Sequence, residues 1–250
     1  MKDIKIIVAT HKKYWMPSGP MYLPLHVGKE GKAELGYIGD NTGDNISFKN
    51  NNYCELTGVY WAWKNLKAEY IGVSHYRRHF ADKSVKGSKK SKVLTQEQLE
   101  NILKKTDIVL PKPRNYFIET NYSQYVHAHH AEDLDVTREI LIEKYPEYVQ
   151  SYDAYMKKTC GHRFNMFIMK KIFFDEYCAW LFDILFELES RLDITGYSKN
   201  DARVFGFVSE RLLDIWLGVN SLSYAEIHVE FMETQNWLKK GGDFLRRKFR

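Results

Sequence analysis

The run His75-Tyr76-Arg77-Arg78-His79 follows directly on the apolar stretch Tyr70-Ile71-Gly72-Val73 and a single Ser74. A short, apolar, β-prone stretch of this kind reads as a buried strand of a parallel sheet. In open α/β sheets, ligands bind beyond the carboxyl ends of the strands. Two guanidiniums and two imidazoles at such an end cannot be buried without anionic partners. The planar forks of Arg77 and Arg78 suit a phosphate or carboxylate held through paired hydrogen bonds. A solvated basic run is the plainer alternative, but Tyr76 and Phe80 interleave with the charges and favour a site. A second strand end offers similar chemistry. Residues 4–9 are a β-branched run that closes on Thr10-His11-Lys12, a hydroxyl, an imidazole and an ammonium. A nucleotide can use all three, and a loop with incidental polar residues accounts for them equally well.

Other elements must bring these groups together. Residues 16–28, with Pro17, Gly19, Pro20 and Pro24, read as an irregular loop of the length usually kept for function. A short strand over 37–40 leads into Asn41-Thr42-Gly43-Asp44-Asn45, which is turn chemistry first. Asp40, Asp44 and Asn45 are also candidates for a ribose or a cation. Residues 52–66 read as one helix capped by Asn52, with Glu55 at the capping-box position, so Glu55 is a cap before it is a catalyst. Residues 81–92 carry lysines among Ser and Gly and read as a solvated loop, with a lid or a lipid-headgroup contact as the sharper alternative.

Thr95 and Gln98 open a further helix, and residues 107–110 form another strand stopped by Pro111-Lys112-Pro113-Arg114. Residues 121–135 gather His127, His129, His130, Glu132, Asp133 and Asp135, yet the spacing matches no zinc signature. A loop entering a helix capped by Asp133 or Asp135 explains them better. Residues 165–169 are a strand candidate, and residues 174–192 are a strong amphipathic helix. A second such helix begins near Asp201, carries Ser209-Glu210-Arg211 and ends before Gly218. Residues 239–250 interleave basic groups with Phe244, Leu245 and Phe249, a pattern that suits an anionic bilayer surface or a solvated tail. There is no internal repeat and no clear domain boundary; residues 1–220 form the body and 221–250 a C-terminal segment.

The bulk properties bound these readings. A chain of 250 residues with 44% hydrophobic and 28% charged residues can bury a full core as a soluble globular protein. The aromatic share of 15% favours surfaces for sugars or bases, or else a large aromatic core. A net charge of +5 does not by itself indicate nucleic acid. The three cysteines, Cys54, Cys160 and Cys178, imply neither a disulfide framework nor a zinc site and point to a reducing cytoplasm. No signal peptide and no 18-residue apolar span is present, so neither secretion by that route nor membrane spanning is expected.

Several of these segments recur together in one known pattern. They are Thr10-His11-Lys12, the stretch from Gly39 to Ser47, Tyr53-Cys54-Glu55-Leu56-Thr57, His75-Tyr76-Arg77-Arg78 and Leu110-Pro111-Lys112-Pro113-Arg114. Asn165-Met166-Phe167-Ile168-Met169 and the stretch from Gly206 to Leu212 complete the set. Over residues 4 to about 217 they resemble a family of bacterial glycosyltransferase domains, once catalogued only as a domain of unknown function. Its members accompany capsule, exopolysaccharide and O-antigen assembly.

The resemblance implies an α/β, GT-A-like nucleotide-sugar-binding fold with a mixed, mostly parallel sheet flanked by helices. It also implies an inverting transfer, with UDP-galactofuranose as the best guess for the donor and a lipid-linked or glycan acceptor. Better-known GT-A enzymes hold a divalent metal with Asp-x-Asp at a strand end. Here Ser74-His75-Tyr76-Arg77-Arg78 stands in that place, and the only such triplet is Asp133-Leu134-Asp135. Cationic side chains can neutralise a leaving diphosphate as a metal would, so no metal or other cofactor is expected.

On this reading Glu210 is the general base and Asp133 its alternative, with Arg77 and Arg78 on the departing diphosphate. Thr10, His11, Lys12, Asp40, Asp44, Asn45, Glu55, Ser74, His75, Tyr76, Asn165 and Arg211 are the substrate-binding candidates. The expected location is cytoplasmic, with peripheral association at the inner face of the membrane. A non-catalytic module for nucleotide or polysaccharide is the competing function. A nucleic-acid-binding protein is weaker, because no recognised motif accompanies the charge.

Overall fold

Buried β-branched residues set the centre of the sheet. Ile4, Ile6, Ile7 and Val8 lie in β1 (Ile4–Thr10), and β4 (Tyr70–His75) runs parallel to it from Ile4↔Tyr70 to Ala9↔His75. The computed structural model describes residues 1–234, so the basic and aromatic tail expected at 239–250 to meet a membrane lies outside the described residues. Side chains alternate across the sheet as the two-residue period requires. Ile7, Ala9, Ile71 and Val73 face one core, whereas Ile4, Ile6, Val8 and Tyr70 face the other.

On the outer side of β1 lies β2 (Tyr22–His26), in parallel, followed by the two-residue β3 (Ile38–Gly39). Residues 16–28 therefore hold a strand where an irregular loop was expected. Pro24 is tolerated there because β3 pairs only from Leu25↔Ile38 onward, so no ladder partner needs its missing N–H.

On the inner side, β9 (Phe167–Lys170) runs antiparallel to β4, from Tyr70↔Lys170 to Val73↔Phe167. β6 (Ile108–Pro111) pairs with β9, and β10 (Ala225–Phe231) links β6 to β5 (Arg78–Ala81). β5 returns to β4 only at His75↔Arg78. Of the eight pairings among these described strands, four are parallel and four antiparallel. The sheet is thus mixed in equal parts rather than mostly parallel. The antiparallel β4–β5 pairing has a local cause: two residues, Tyr76 and Arg77, separate the strands, and so short a link can only reverse the chain. The consequence is a notch. At Ser74 and His75, β9 has already left β4 and β5 has barely begun.

Helices cover both faces. One layer holds α2 (Leu56–Asn65), α5 (Ala131–Lys144), α6 (Val149–Lys157), α7 (Lys171–Arg191) and α8 (Val204–Val219), whose apolar stripes share the larger core. On the other face, α3 (Gln96–Ile102) begins with the capping box of Thr95 and Gln98 read from the sequence. β7 (Arg114–Asn115) and β8 (Cys160–Gly161) form a small separate sheet, and α4 (Asn121–Val126) follows β7.

Three helix boundaries differ from expectation. The helix expected over 52–66 is broken into α1 (Asn50–Tyr53) and α2 by Cys54, whose φ is 53°. Asn52 lies within α1 and donates to Ala202 O (2.7 Å), and Glu55 makes no capping bond. α5 starts after His130, so neither Asp133 nor Asp135 caps it. Gly218 lies inside α8, which runs on to Val219. No helix among the described residues is long and apolar enough to cross a membrane.

Candidate functional site

β1 and β4 both end at a cavity of about 1100 Å³. Six cationic side chains line it, from Arg77, Arg78, Arg114, Arg163, Lys199 and Arg203, against the carboxylates of Glu55 and Glu210. A smaller cleft of about 340 Å³, around Lys104, Asp107 and Phe173, lies at the opposite ends of the strands and contains none of the expected residues.

The notch in the sheet shapes the cavity floor. Phe164 and Asn165 precede β9 with φ of 78° and 50°, and Cys54 precedes Glu55 with φ of 53°. These are three of only five non-glycine residues with positive φ among the described residues. Each such conformation costs on the order of 1 kcal/mol and persists only where surrounding contacts enforce it. Here the contacts are visible. Asn165 Nδ2 donates to Glu55 Oε1 (2.8 Å) and Gly206 O (3.1 Å), while Ser209 Oγ donates to Asn165 Oδ1 (2.9 Å). Glu210 Oε1 accepts the Phe164 N–H (3.0 Å). Gly206 allows α8 to come this close, because a Cβ there would lie 3.2 Å from Cys54 Sγ.

His75 Nε2 donates to Phe164 O at 2.5 Å. Burial and the neighbouring Arg78 push its pKa down to about 4, so the ring is neutral at physiological pH. The Arg78 guanidinium lies 4.5 Å from the Phe164 ring centre and 5.7 Å from that of Phe231. Burial lowers its pKa, and Glu210 and Glu55 oppose that shift. The Arg78 guanidinium makes no hydrogen bond or close ion pair with any described residue. Arg77 differs: it donates to Glu233 Oε2 at 3.1 Å and lies over the Tyr76 ring.

The other expected residues divide cleanly. Thr10, His11, Glu55, Tyr76 and Glu210 line the cavity with His75, Arg77 and Arg78. The Thr10 hydroxyl donates to Lys12 O (2.6 Å) and fixes the turn after β1, and His11 meets the Tyr76 ring edge-on. Lys12 stands outside the lining, 4.0 Å from Glu233 and near the Tyr14 and Tyr76 rings. Ser74 is fully buried against Ile7 O. Arg211 lies behind Glu210, donating to Glu210 Oε2, Phe207 O and Gln124 Oε1.

Four acidic or amide candidates lie elsewhere. Asp40 is fully buried and accepts from Gly28 N (2.7 Å), Lys29 N (3.0 Å), Thr57 Oγ1 (2.6 Å) and Ser47 Oγ. Asp44 accepts from Tyr60, and Asn45 braces its own turn through Gly43 O and Ser47 N. Asp133 is buried between the hydroxyls of Tyr125 and Tyr197, each 2.7 Å away.

Sequence reasoning missed Arg114, Arg163, Lys199 and Arg203. Arg163 sits in an otherwise unremarked polar stretch, and its Nη1 donates to Tyr155 Oη and His162 O, both at 2.7 Å. Arg203 Nε donates to Cys54 Sγ at 3.1 Å. No spacing rule links residues 149 positions apart, and Lys199 and Arg203 flank the acidic Asp201, so local composition carried no signal.

A model of the protein family described as "Domain of unknown function (DUF4422)" matches residues 5–221. No curated protein matches the sequence. Among solved structures, the chain is similar to the apo structure of a bifunctional glycosyltransferase, WbbM, with 32% identity and a TM-score of 0.86. The likeness covers 93% of this chain and 46% of that one, so the chain spans just under half the length of WbbM.

Proposed function

We propose, from the premise that this chain belongs to the family described as Domain of unknown function (DUF4422), that it is a glycosyltransferase using a nucleotide-sugar donor and a glycan acceptor. The observation that carries this reading is the cationic cavity at the ends of β1 and β4, where six cationic side chains outnumber the two carboxylates and no described carboxylate is in direct contact with the Arg78 guanidinium. A half-buried cluster with that excess of positive charge is costly unless a ligand supplies further anionic groups. A nucleoside diphosphate supplies them, and the likeness to a bifunctional glycosyltransferase makes a nucleotide sugar the natural source.

The donor's diphosphate lies against Arg78 and Arg77, whose charge stabilises the leaving group as negative charge builds on it. These side chains take the part that a divalent metal plays in enzymes with an Asp-x-Asp motif. The transfer is inverting, and a cavity carboxylate accepts the proton of the acceptor hydroxyl. UDP-galactofuranose is the donor favoured by the family resemblance, and a lipid-linked glycan of a bacterial surface polysaccharide is the favoured acceptor.

The test is calorimetric binding of UDP, followed by a screen of UDP-sugars, including both ring forms of galactose, against glycan and lipid-linked acceptors. UDP binding and a glycosylated product that survives EDTA are expected. Binding without turnover on any donor and acceptor pair would make the protein a nucleotide-binding module instead.

A further inference from the structure

We infer that Glu55, rather than Glu210, is the residue that takes the proton from the acceptor hydroxyl; this rests on the glycosyltransferase reading above. The two carboxylates share the cavity, and their surroundings differ. Glu210 already spends both oxygens on the fold: Oε1 accepts the Phe164 N–H and Oε2 accepts Arg211 Nη1 at 3.2 Å. Removing it from either bond would loosen the turn that seats Arg78 against Phe164. Glu210 is a positioning residue.

Glu55 is held more lightly. Asn165 fixes Oε1 and the residue's own backbone N–H also reaches the carboxylate, while Oε2 receives no hydrogen bond from another described residue. Asn165 is itself fixed by Gly206 and Ser209, so the carboxylate has one orientation rather than many. A general base must be positioned by its neighbours and still have a lone pair free for the incoming proton. The break between α1 and α2 gives Glu55 this freedom. The residue holds the N-cap position of α2, yet its side chain makes no capping bond and lies in the cavity lining. Left-handed backbone at Cys54 on one side and at Phe164 and Asn165 on the other is enforced at this one place.

The charged and titratable groups that face Glu55 are Arg78 from β5, Arg203 from the turn before α8 and Cys54 from the end of α1. Burial raises the Glu55 pKa above the ordinary carboxylate value, against the opposing pull of Asn165, its own backbone N–H, Arg203 and Arg78. That direction makes a better base, since proton affinity moves closer to working pH.

In the step itself, the acceptor oxygen forms the new bond to the anomeric carbon of the donor. The bond from that carbon to the diphosphate oxygen breaks, and its electron pair leaves on the diphosphate. The hydroxyl proton passes to Glu55 Oε2.

Glu55→Gln and Glu210→Gln, measured beside the native protein, test the assignment. For Glu55→Gln, calorimetric UDP affinity within about twofold of native and a kcat lowered about 10²-fold or more are expected. The acid limb of the native kcat/KM profile should lie above the ordinary carboxylate range and disappear in this variant. Glu210→Gln should retain that limb and show weaker UDP binding. Near-native kcat in Glu55→Gln with UDP still bound overturns the proposal. If Glu55→Gln also loses UDP, Glu55→Asp decides: kcat above that of the Gln variant supports a base, and equal kcat refutes one. A native protein that transfers from no nucleotide sugar would sink the glycosyltransferase reading itself, an outcome separate from all of these.

Discussion

Asp133 and Glu55 are both acidic residues held in partly or fully dry surroundings, and their environments assign them opposite work. Asp133 is buried in the first turn of α5 with a tyrosine hydroxyl on each oxygen, outside the lining of the cationic cavity. Glu55 has a donor on one oxygen and opens onto a cavity lined by guanidiniums. Asp40, with four donors and no exposure, belongs with Asp133. A carboxylate whose hydrogen-bonding capacity is filled by the fold stabilises the fold. One left partly unfilled beside a cavity is available for chemistry.

The sharpest way to break this comparison is Asp40→Ala. It strands two backbone N–H groups and two hydroxyls in a dry region, and a loss of about 4–5 kcal/mol in unfolding free energy is expected by urea titration. A loss below about 1 kcal/mol would show that water fills the gap. Next is Arg78→Ala, which breaks no ion pair in the structure. Transfer should fall by about 10²-fold or more while the thermal midpoint stays within a few degrees. A large fall in midpoint instead would make Arg78 a structural group. Asp133→Asn keeps an acceptor for one tyrosine and should cost only about 1–2 kcal/mol, leaving UDP affinity at the native value.

The fourth prediction concerns pH. Burial depresses His79 to about 4, and burial with Arg78 depresses His75 to about 4, from an ordinary value of 6.5. The unfolded chain therefore binds more protons than the folded one between these values. Stability from both rings is fully present above about pH 6.5 and is lost as the pH falls toward 4. Neither His79 ring nitrogen makes a well-formed hydrogen bond among the described residues, although the Tyr76 backbone lies close enough to act on the ring, so His79→Leu should flatten this slope at a small cost near pH 7. An unchanged slope would locate the effect elsewhere. The smallest effect is expected from Glu233→Gln. Glu233 occupies Arg77 and sits near Lys12, so removing its charge should tighten UDP binding by about two- to threefold. Weaker binding would mean that Glu233 holds Arg77 ready rather than blocking it.

Much of the frame was legible because it depends on short-range patterns. Short apolar, β-prone runs gave β1 and β4, since a strand buried on both faces needs apolar residues at nearly every position. The Thr95 and Gln98 pair gave the start of α3, because a capping box is satisfied within four residues. β10 went unread although Ala-Glu-Ile-His-Val-Glu-Phe alternates apolar and polar residues as a half-buried strand does; what the alternation does not tell is that it inserts between β5 and β6. The break at Cys54 was hidden for a different reason. Asn50 Nδ2 donates to Cys54 O (2.6 Å) and Thr57 Oγ1 (3.1 Å), a local repair that no helical periodicity announces.

The sequence by itself determined that strand ends at Thr10 and His75 carry polar and cationic groups, because those residues are contiguous with the strands that deliver them. It also determined the two amphipathic helices, α7 and α8, that wall the larger core. Only the tertiary structure decided which acidic residues face the cavity and which of them keeps hydrogen-bonding capacity to spare. It buried Asp40 and Asp133 under full sets of donors, turned Glu55 out of a capping role, and brought Arg163 and Arg203 to the same cavity. These outcomes depend on contacts across 110 residues between Glu55 and Asn165, and 149 between Cys54 and Arg203. A side chain's local sequence fixes its reach, but its desolvation and its spare hydrogen-bonding capacity depend on partners that arrive only when the sheet and α8 close together.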